Sequence, residues 1–164
     1  MYMSIGFGRV SIFCRHMDSS LAFYRNCLGM VSIEDKTIEG AAAGALLQLP
    51  PCRMRIVLLA PTAQADAVLG LFEIGGIELD RMQPPSQRVA QGQTAIVLTT
   101  TQFDRLHAEL KSAGTRFLTP PVRYPKRHAS ERSPAGLYHE MIVYDPDGVL
   151  VSIMQIDALP EQEG

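Results

Sequence analysis

The sequence predicts an α+β protein in which one strand-helix-strands unit is used twice. Two observations carry this. A strand-like run, Arg9-Val10-Ser11-Ile12-Phe13-Cys14, leads into an amphipathic segment, Ser20 to Leu28, that stops at Gly29. Half a chain later Thr94-Ala95-Ile96-Val97-Leu98 leads into a second such segment, Phe103 to Ala113, that stops at Gly114. Between the copies, residues 75–92 carry Gly75-Gly76, Pro84-Pro85 and scattered polar side chains, the composition of a connector. The chain is therefore divided into a first module (1–78), a linker (79–92), a second module (93–158) and a tail (159–164). Two copies of such a unit can pair their sheets around a shared cleft, a natural place for a small ligand.

Alternation in the first run sets Val10, Ile12 and Cys14 on one face and Arg9, Ser11 and Phe13 on the other. That is the pattern of a strand packed against a helix on one side, with the other side polar and available. Asp18 or Ser19 can cap the following helix, where Leu21, Tyr24 and Leu28 recur at helical spacing and Gly29 supplies the left-handed stop. Strands are expected over Met30–Ile38, Met54–Ala60 and Val68–Ile74, with Ala41–Leu49 a short helix or a loop closed by Pro50-Pro51. The second helix is expected to begin at Thr100 or Thr101, with Asp104 completing its cap and Phe103, Leu106, Leu110 and Ala113 forming its buried stripe. After a strand begun by Phe117-Leu118, residues 119–136 read as a Pro-rich basic loop. Met141–Tyr144 and Val149–Met154 then form a hairpin around Asp145-Pro146-Asp147-Gly148, where Pro sets one turn dihedral and Gly accepts a positive one.

Bulk properties narrow the function classes. A chain of 164 residues buries roughly two-thirds of its unfolded surface and needs no staple. Its 15 basic and 17 acidic residues give a net charge of −2, and no basic run follows a helix, so nucleic-acid binding is not expected. No window reaches the roughly 18 unbroken apolar residues of a membrane span, and residues 1–6 lack the pattern of a secretory leader, so a cytoplasmic protein is expected. Cys14, Cys27 and Cys52 are odd in number, widely spaced and set among apolar neighbours, which reads as reduced structural thiols. His107, at the edge of its helix stripe with no partner at ligand spacing, reads as a partly exposed helix histidine.

Ser20-Leu21-Ala22-Phe23-Tyr24 with Leu28-Gly29-Met30, then Leu110-Lys111-Ser112-Ala113-Gly114, then Asp145-Pro146-Asp147-Gly148 resemble the vicinal oxygen chelate superfamily. That superfamily holds glyoxalase I, bleomycin-resistance proteins, extradiol dioxygenases and methylmalonyl-CoA epimerase. The resemblance spans roughly residues 7–156 and implies two βαβββ modules forming curled mixed sheets around a cleft, commonly within a homodimer. It also implies a position for a divalent ion, held in metal-dependent members by His and Glu on the first and last strands of each module. Matched motif by motif, those positions fall on Arg9, near Gly70, near Thr94 or Ala95, and on Ser152. Arginine stays protonated, glycine and alanine offer no donor and a lone serine hydroxyl is a poor substitute, so no metal and no cofactor are expected. A relocated divalent site using His139 or Glu140 is the alternative, and an edge histidine is the plain reading of His139.

Arg9 at a former ligand position would keep positive charge on the cleft floor and present a planar fork to carboxylate or phosphate. Its structural alternative is an ion pair with Glu140 or Glu73. Arg123, Lys126, Arg127, His128 and Arg132 crowd the loop before the final hairpin and could close over the cleft mouth or simply be solvated. Two function classes remain open. One is a metal-independent small-molecule-binding protein that sequesters an anionic or aromatic ligand, with Arg9, Ser11, Phe13, Phe72, Met141, Ser152 and Met154 as the ligand-binding set. The other is a glyoxalase-like lyase, isomerase or dioxygenase with an atypical metal site, where Glu140 or His139 moves a proton.

Overall fold

A computed structural model describes residues 5–82 and 87–159. Residues 83–86 of the expected linker, 160–164 of the expected tail and residues 1–4 lie outside the described residues. The chain divides into two compact units, Met1–Gln83 and Pro84–Gly164.

The first unit runs β1 (Val10–Phe13), α1 (Met17–Leu21), a π-helical stretch (Ala22–Cys27), β2 (Val31–Gly40), α2 (Ala41–Ala45), β3 (Cys52–Ala60) and β4 (Leu69–Gly75). The second runs β5 (Ala95–Thr99), α3 (Phe103–Ser112), β6 (Phe117–Lys126), β7 (Gly136–Tyr144) and β8 (Leu150–Asp157). The sheets share one topology, β1-β4-β3-β2 and β5-β8-β7-β6, in which the first strand pairs parallel to the last and the rest are antiparallel. Each unit is thus a βαβββ module, and the duplication read from the sequence is a duplication of topology. Gly29 and Gly114 end the two helical segments with φ of 76° and 72°, the left-handed geometry a Cβ disfavours.

In the first unit the helix starts at Met17 rather than Ser20. Neither Asp18 nor Ser19 caps it; the Met17 amide donates instead to the Glu73 carboxylate on β4. The following turn widens to i→i+5 spacing, with Leu28 N donating to Phe23 O at 3.0 Å. Ile12, Leu71 and Val57 lie side by side across β1, β4 and β3 and are nearly or fully buried, as are Met17, Leu21 and Tyr24 of the helical segment.

The other face of this sheet is not wholly polar, which corrects the expectation drawn from β1. The segment expected as a short helix or loop forms α2, whose Ala43 packs with Cys52, Met54 and Ile56 in a second apolar cluster joined by Leu47, Leu58, Phe72, Ile74 and Ile77. Only the β1 side of the face remains open. The cause is a strand, β3, that is apolar on both faces, so one helix cannot bury it and α2 supplies the second cover.

Arg55 on β3 binds Asp35 on β2 through two hydrogen bonds, Nη2 to Oδ2 at 2.8 Å and Nε to Oδ1 at 3.1 Å, and reaches Asp18 of α1 at 3.5 Å. The Arg55 hydrogen bonds hold the Asp35 carboxyl below its ordinary range, and the same partner raises the guanidinium. A depressed carboxylate stabilises the fold above its unfolded pKa near 4, and that stability is lost as pH falls through the folded value. Because both side chains are part-exposed, Arg55→Met should cost about 0.5–1 kcal/mol at pH 7 in urea unfolding, a cost that shrinks as pH falls below about 4. A cost independent of pH would assign the loss to packing alone.

In the second unit, α3 begins at Phe103 without a Thr or Asp side-chain cap. Its Phe103 amide donates to Gln155 Oε1 on β8 at 3.0 Å, and Asp104 accepts from Arg123 of β6 at 2.7 Å. Residues expected as a basic loop are largely strand: β6 runs to Lys126 despite Pro120, Pro121 and Pro125, because it is an edge strand with two register irregularities, where a missing N–H is tolerated. Arg123 and Lys126 are therefore engaged, the latter with the Ser130 and Ser133 hydroxyls. At the last turn, Asp145 Oδ1 accepts from the Asp147 and Val149 amides at 2.9 and 2.8 Å, and Gly148 takes φ of 90°.

Candidate functional site

Each sheet has one face against its helix and one turned away, and register decides which predicted residues share a face. In the first unit Ser11 pairs with Gly70 and Phe13 with Phe72. Arg9, Ser11 and Phe13 are exposed, Phe13 at 49%, and the Phe13 and Phe72 rings meet at 5.5 Å between centroids. Arg9 lies across Gly70: a Cβ built there would stand 3.1 Å from Arg9 Nε and 2.8 Å from the Phe72 ring edge. The structure thus brings Arg9, Ser11, Phe13 and Phe72 together beside the α2 cluster. Among the described residues no carboxylate pairs with Arg9. Within the first unit the expected alternative pairing with Glu73 is not made, and the Glu73 carboxylate accepts the Met17 amide instead.

In the second unit the helix face holds Met141, Val143, Val151 and Ile153, all essentially inaccessible. Met141 belongs to this core and cannot wall a site on the opposite face. His139 is also on the helix side, 7% exposed, its ring 5.7 Å from Phe103. Its Nε2 approaches Asp157 Oδ2 to 2.9 Å, without a well-aligned hydrogen bond to either ring nitrogen among the described residues. Asp157 in turn accepts from Gln155, the residue that meets the start of α3. His139 is thus a packing residue of the helix seat, and it and Glu140 face opposite ways.

Glu140, Ser152 and Met154 share the other face. Glu140 sits in register with Val122 on β6 and Met154 on β8, and Ser152 with Ile142 and Val97. Two residues along β7, Tyr138 stacks on Tyr124, with centroids 5.4 Å apart and planes 18° from parallel. The Tyr138 hydroxyl donates to Pro134 O at 2.9 Å, and the Tyr124 hydroxyl donates to the Glu140 carboxylate. Partial burial and then the neighbouring Glu140 push the Tyr124 phenol above its ordinary range. A hollow of about 490 Å³ adjoins this face, lined by Thr99, Thr100, Thr101, Met154, Gln155 and Ile156. Tyr124 was missed in the sequence because β6 read as a loop.

The implied metal positions can be tested on this geometry. Arg9 and Gly70 stand side by side, as a ligand pair would, but supply a guanidinium and a hydrogen atom. A glutamate at position 70 would have to displace Arg9 and the Phe72 edge. Ala95 and Ser152 on the second sheet add one hydroxyl. Among the described residues no three His, Cys, Asp or Glu side chains cluster as a metal set. The donor set does not fit a divalent ion at these positions.

Two βαβββ modules, each with a parallel first-to-last strand pair and an outward sheet face, define the class of fold. A family model, the Glyoxalase/Bleomycin resistance protein/Dioxygenase superfamily, matches residues 6–153, and the chain belongs to that superfamily. The solved structure of a glyoxalase family protein from Bacillus cereus is similar at a TM-score of 0.74, with 17% identity over 96% of this chain and 97% of that one. The trypanothione-dependent glyoxalase I of Leishmania major gives 0.58, with 16% identity over 93% of this chain and 87% of that one. A glyoxylase/bleomycin resistance protein/dioxygenase domain from Frankia gives 0.54, with 18% identity over 94% and 93%. These likenesses are of fold. No curated protein matches the chain. No described helix is long and apolar enough to cross a membrane.

Proposed function

We propose that the protein is a metal-independent small-molecule-binding member of the superfamily, which holds an anionic or aromatic ligand against Arg9. The supporting observation is the guanidinium laid over Gly70, with no carboxylate partner among the described residues and an aromatic pair beside it. A fork of N–H donors next to Phe13 and Phe72 suits a carboxylate carried on a flat apolar body. Ser11, on the same face, offers a further hydroxyl. No proton-transfer step is assigned: His139, one of the two alternative proton carriers, is turned to the helix, and among the described residues no second titratable side chain is paired with Glu140 for such a step beyond the Tyr124 phenol. We further read the protein as a cytoplasmic homodimer. Thiols at Cys14, Cys27 and Cys52 support the compartment, and exposed apolar residues such as Phe13 and Val97 support a second copy.

The experiment is a titration of the purified protein with benzoate, alongside elemental analysis. Arg9→Ala should weaken benzoate by about 10–100-fold, the value of one charge-assisted pair, with an unchanged melting temperature because the residue is exposed. Metal content should be substoichiometric, and nickel, zinc, manganese or iron(II) should leave the melting temperature within about 1 °C. Equal benzoate affinity in parent and variant, or one tightly held metal per chain, would overturn the reading.

A further inference from the structure

We propose that the outward face of the second sheet carries a subsite for a protonated amine, with the Glu140 carboxylate as counter-ion and the Tyr124 ring, backed by Tyr138, as its wall. Glu140 stands in an apolar neighbourhood, in register with Val122 and Met154 and two residues from Tyr138. Its partner is the Tyr124 hydroxyl, a single donor for a group with about four lone-pair sites. No lysine or arginine pairs with it among the described residues: Arg123 is held by Asp104, Lys126 by Ser130 and Ser133, and Arg116 lies over the Tyr144 ring at 4.7 Å. A half-buried carboxylate on such a face gains from a cation that also donates hydrogen bonds, and an ammonium is both.

The tyrosines select the cation further. Tyr138 is almost fully buried and stacks on Tyr124, which keeps 41% of its surface exposed. The outer face of Tyr124 is therefore a fixed π-surface whose own hydroxyl points at the carboxylate. An ammonium placed between them gains ion pairing and cation–π attraction together. The apolar body attached to the amine has the hollow beside Met154 to enter, which is of a size that takes small organic molecules. This subsite lies in the second unit and does not rest on the role proposed for Arg9.

The probe is benzylamine, with benzyl alcohol as its neutral counterpart, titrated into the full chain by calorimetry. Benzylamine should bind saturably and more tightly than the alcohol. Glu140→Gln, which keeps shape and removes charge, should weaken benzylamine at least about tenfold, and Tyr124→Leu should weaken it about threefold or more. Both variants should keep the parent's circular dichroism. Should Tyr124→Leu fail to fold, Glu140→Gln decides alone, since it leaves the tyrosine stack in place. Undiminished benzylamine affinity in Glu140→Gln, equal affinity for alcohol and amine, or no saturable binding up to about 10 mM would each overturn the proposal. The benzoate titration is a separate measurement, so either reading can fail while the other stands.

Discussion

Gly44→Ala will lower the unfolding free energy by about 3 kcal/mol, near the top of the range for forced overpacking. A Cβ at this position would stand 2.3 Å from the Pro50 carbonyl oxygen and 2.5 Å from that of Leu49. Both are backbone atoms, so no rotamer change relieves the clash. The α2 segment must move, and the Leu47 and Leu49 amides that now donate to Gly44 O move with it. The damage then reaches Ala43, Cys52, Met54 and Ile56, the cluster that covers half of the first sheet's outer face. Urea unfolding should show a lower midpoint with little change in slope, and the Cys52 thiol, 6% exposed in the parent, should react faster with a disulfide reagent. A loss under about 1 kcal/mol, with the thiol as protected as before, would mean that α2 is loosely seated.

Leu71→Ala will cost about as much, roughly 2–5 kcal/mol, by the opposite mechanism. Leu71 is fully buried between Ile12 and Val57, in the layer between the first sheet and its helix. Removing its branched end leaves a void walled by strands whose hydrogen-bond register prevents collapse, so both transfer energy and cavity energy are lost. Phe13→Ala, one residue along from Ile12 but on the other face and 49% exposed, should cost under about 1 kcal/mol although more atoms are deleted. Measured side by side, the two variants report which face of the sheet is core. Comparable losses would contradict the assignment of Phe13 to an accessible site.

Legibility in the sequence followed one physical condition, whether a strand had one wet face or none. Strand β1 alternates cleanly because only one side of it is covered, so Arg9, Ser11 and Phe13 could be placed together from sequence. Strand β7 is substantially buried along both faces, and its apolar run hides its parity. That is why Met141 is expected on the cleft side although it faces the helix, and why His139 and Glu140 stay alternatives in the sequence. Helix ends marked by Gly29 and Gly114 were readable, since left-handed geometry has a residue preference. Helix starts were not, because the first amides are met by Glu73 and Gln155 from strands distant in sequence. Prolines 120, 121 and 125 masked β6, and with it the tyrosine that contacts Glu140. The seating of Arg9 over Gly70 needed the parallel pairing of β1 with β4, which no local pattern encodes.

That pairing has a consequence for synthesis. Every strand partner in each sheet comes from the same half of the chain, so a nascent polypeptide that has emerged through Gly75 already contains all four strands of the first sheet. Its parallel β1–β4 contact must wait for the last of them, which makes closure of that edge the late event on the ribosome. The earlier half can settle before the later one has left the exit tunnel. An internal duplication thereby separates in time two folding events that share one plan, and it reduces the chance that like strands from the two copies pair with each other.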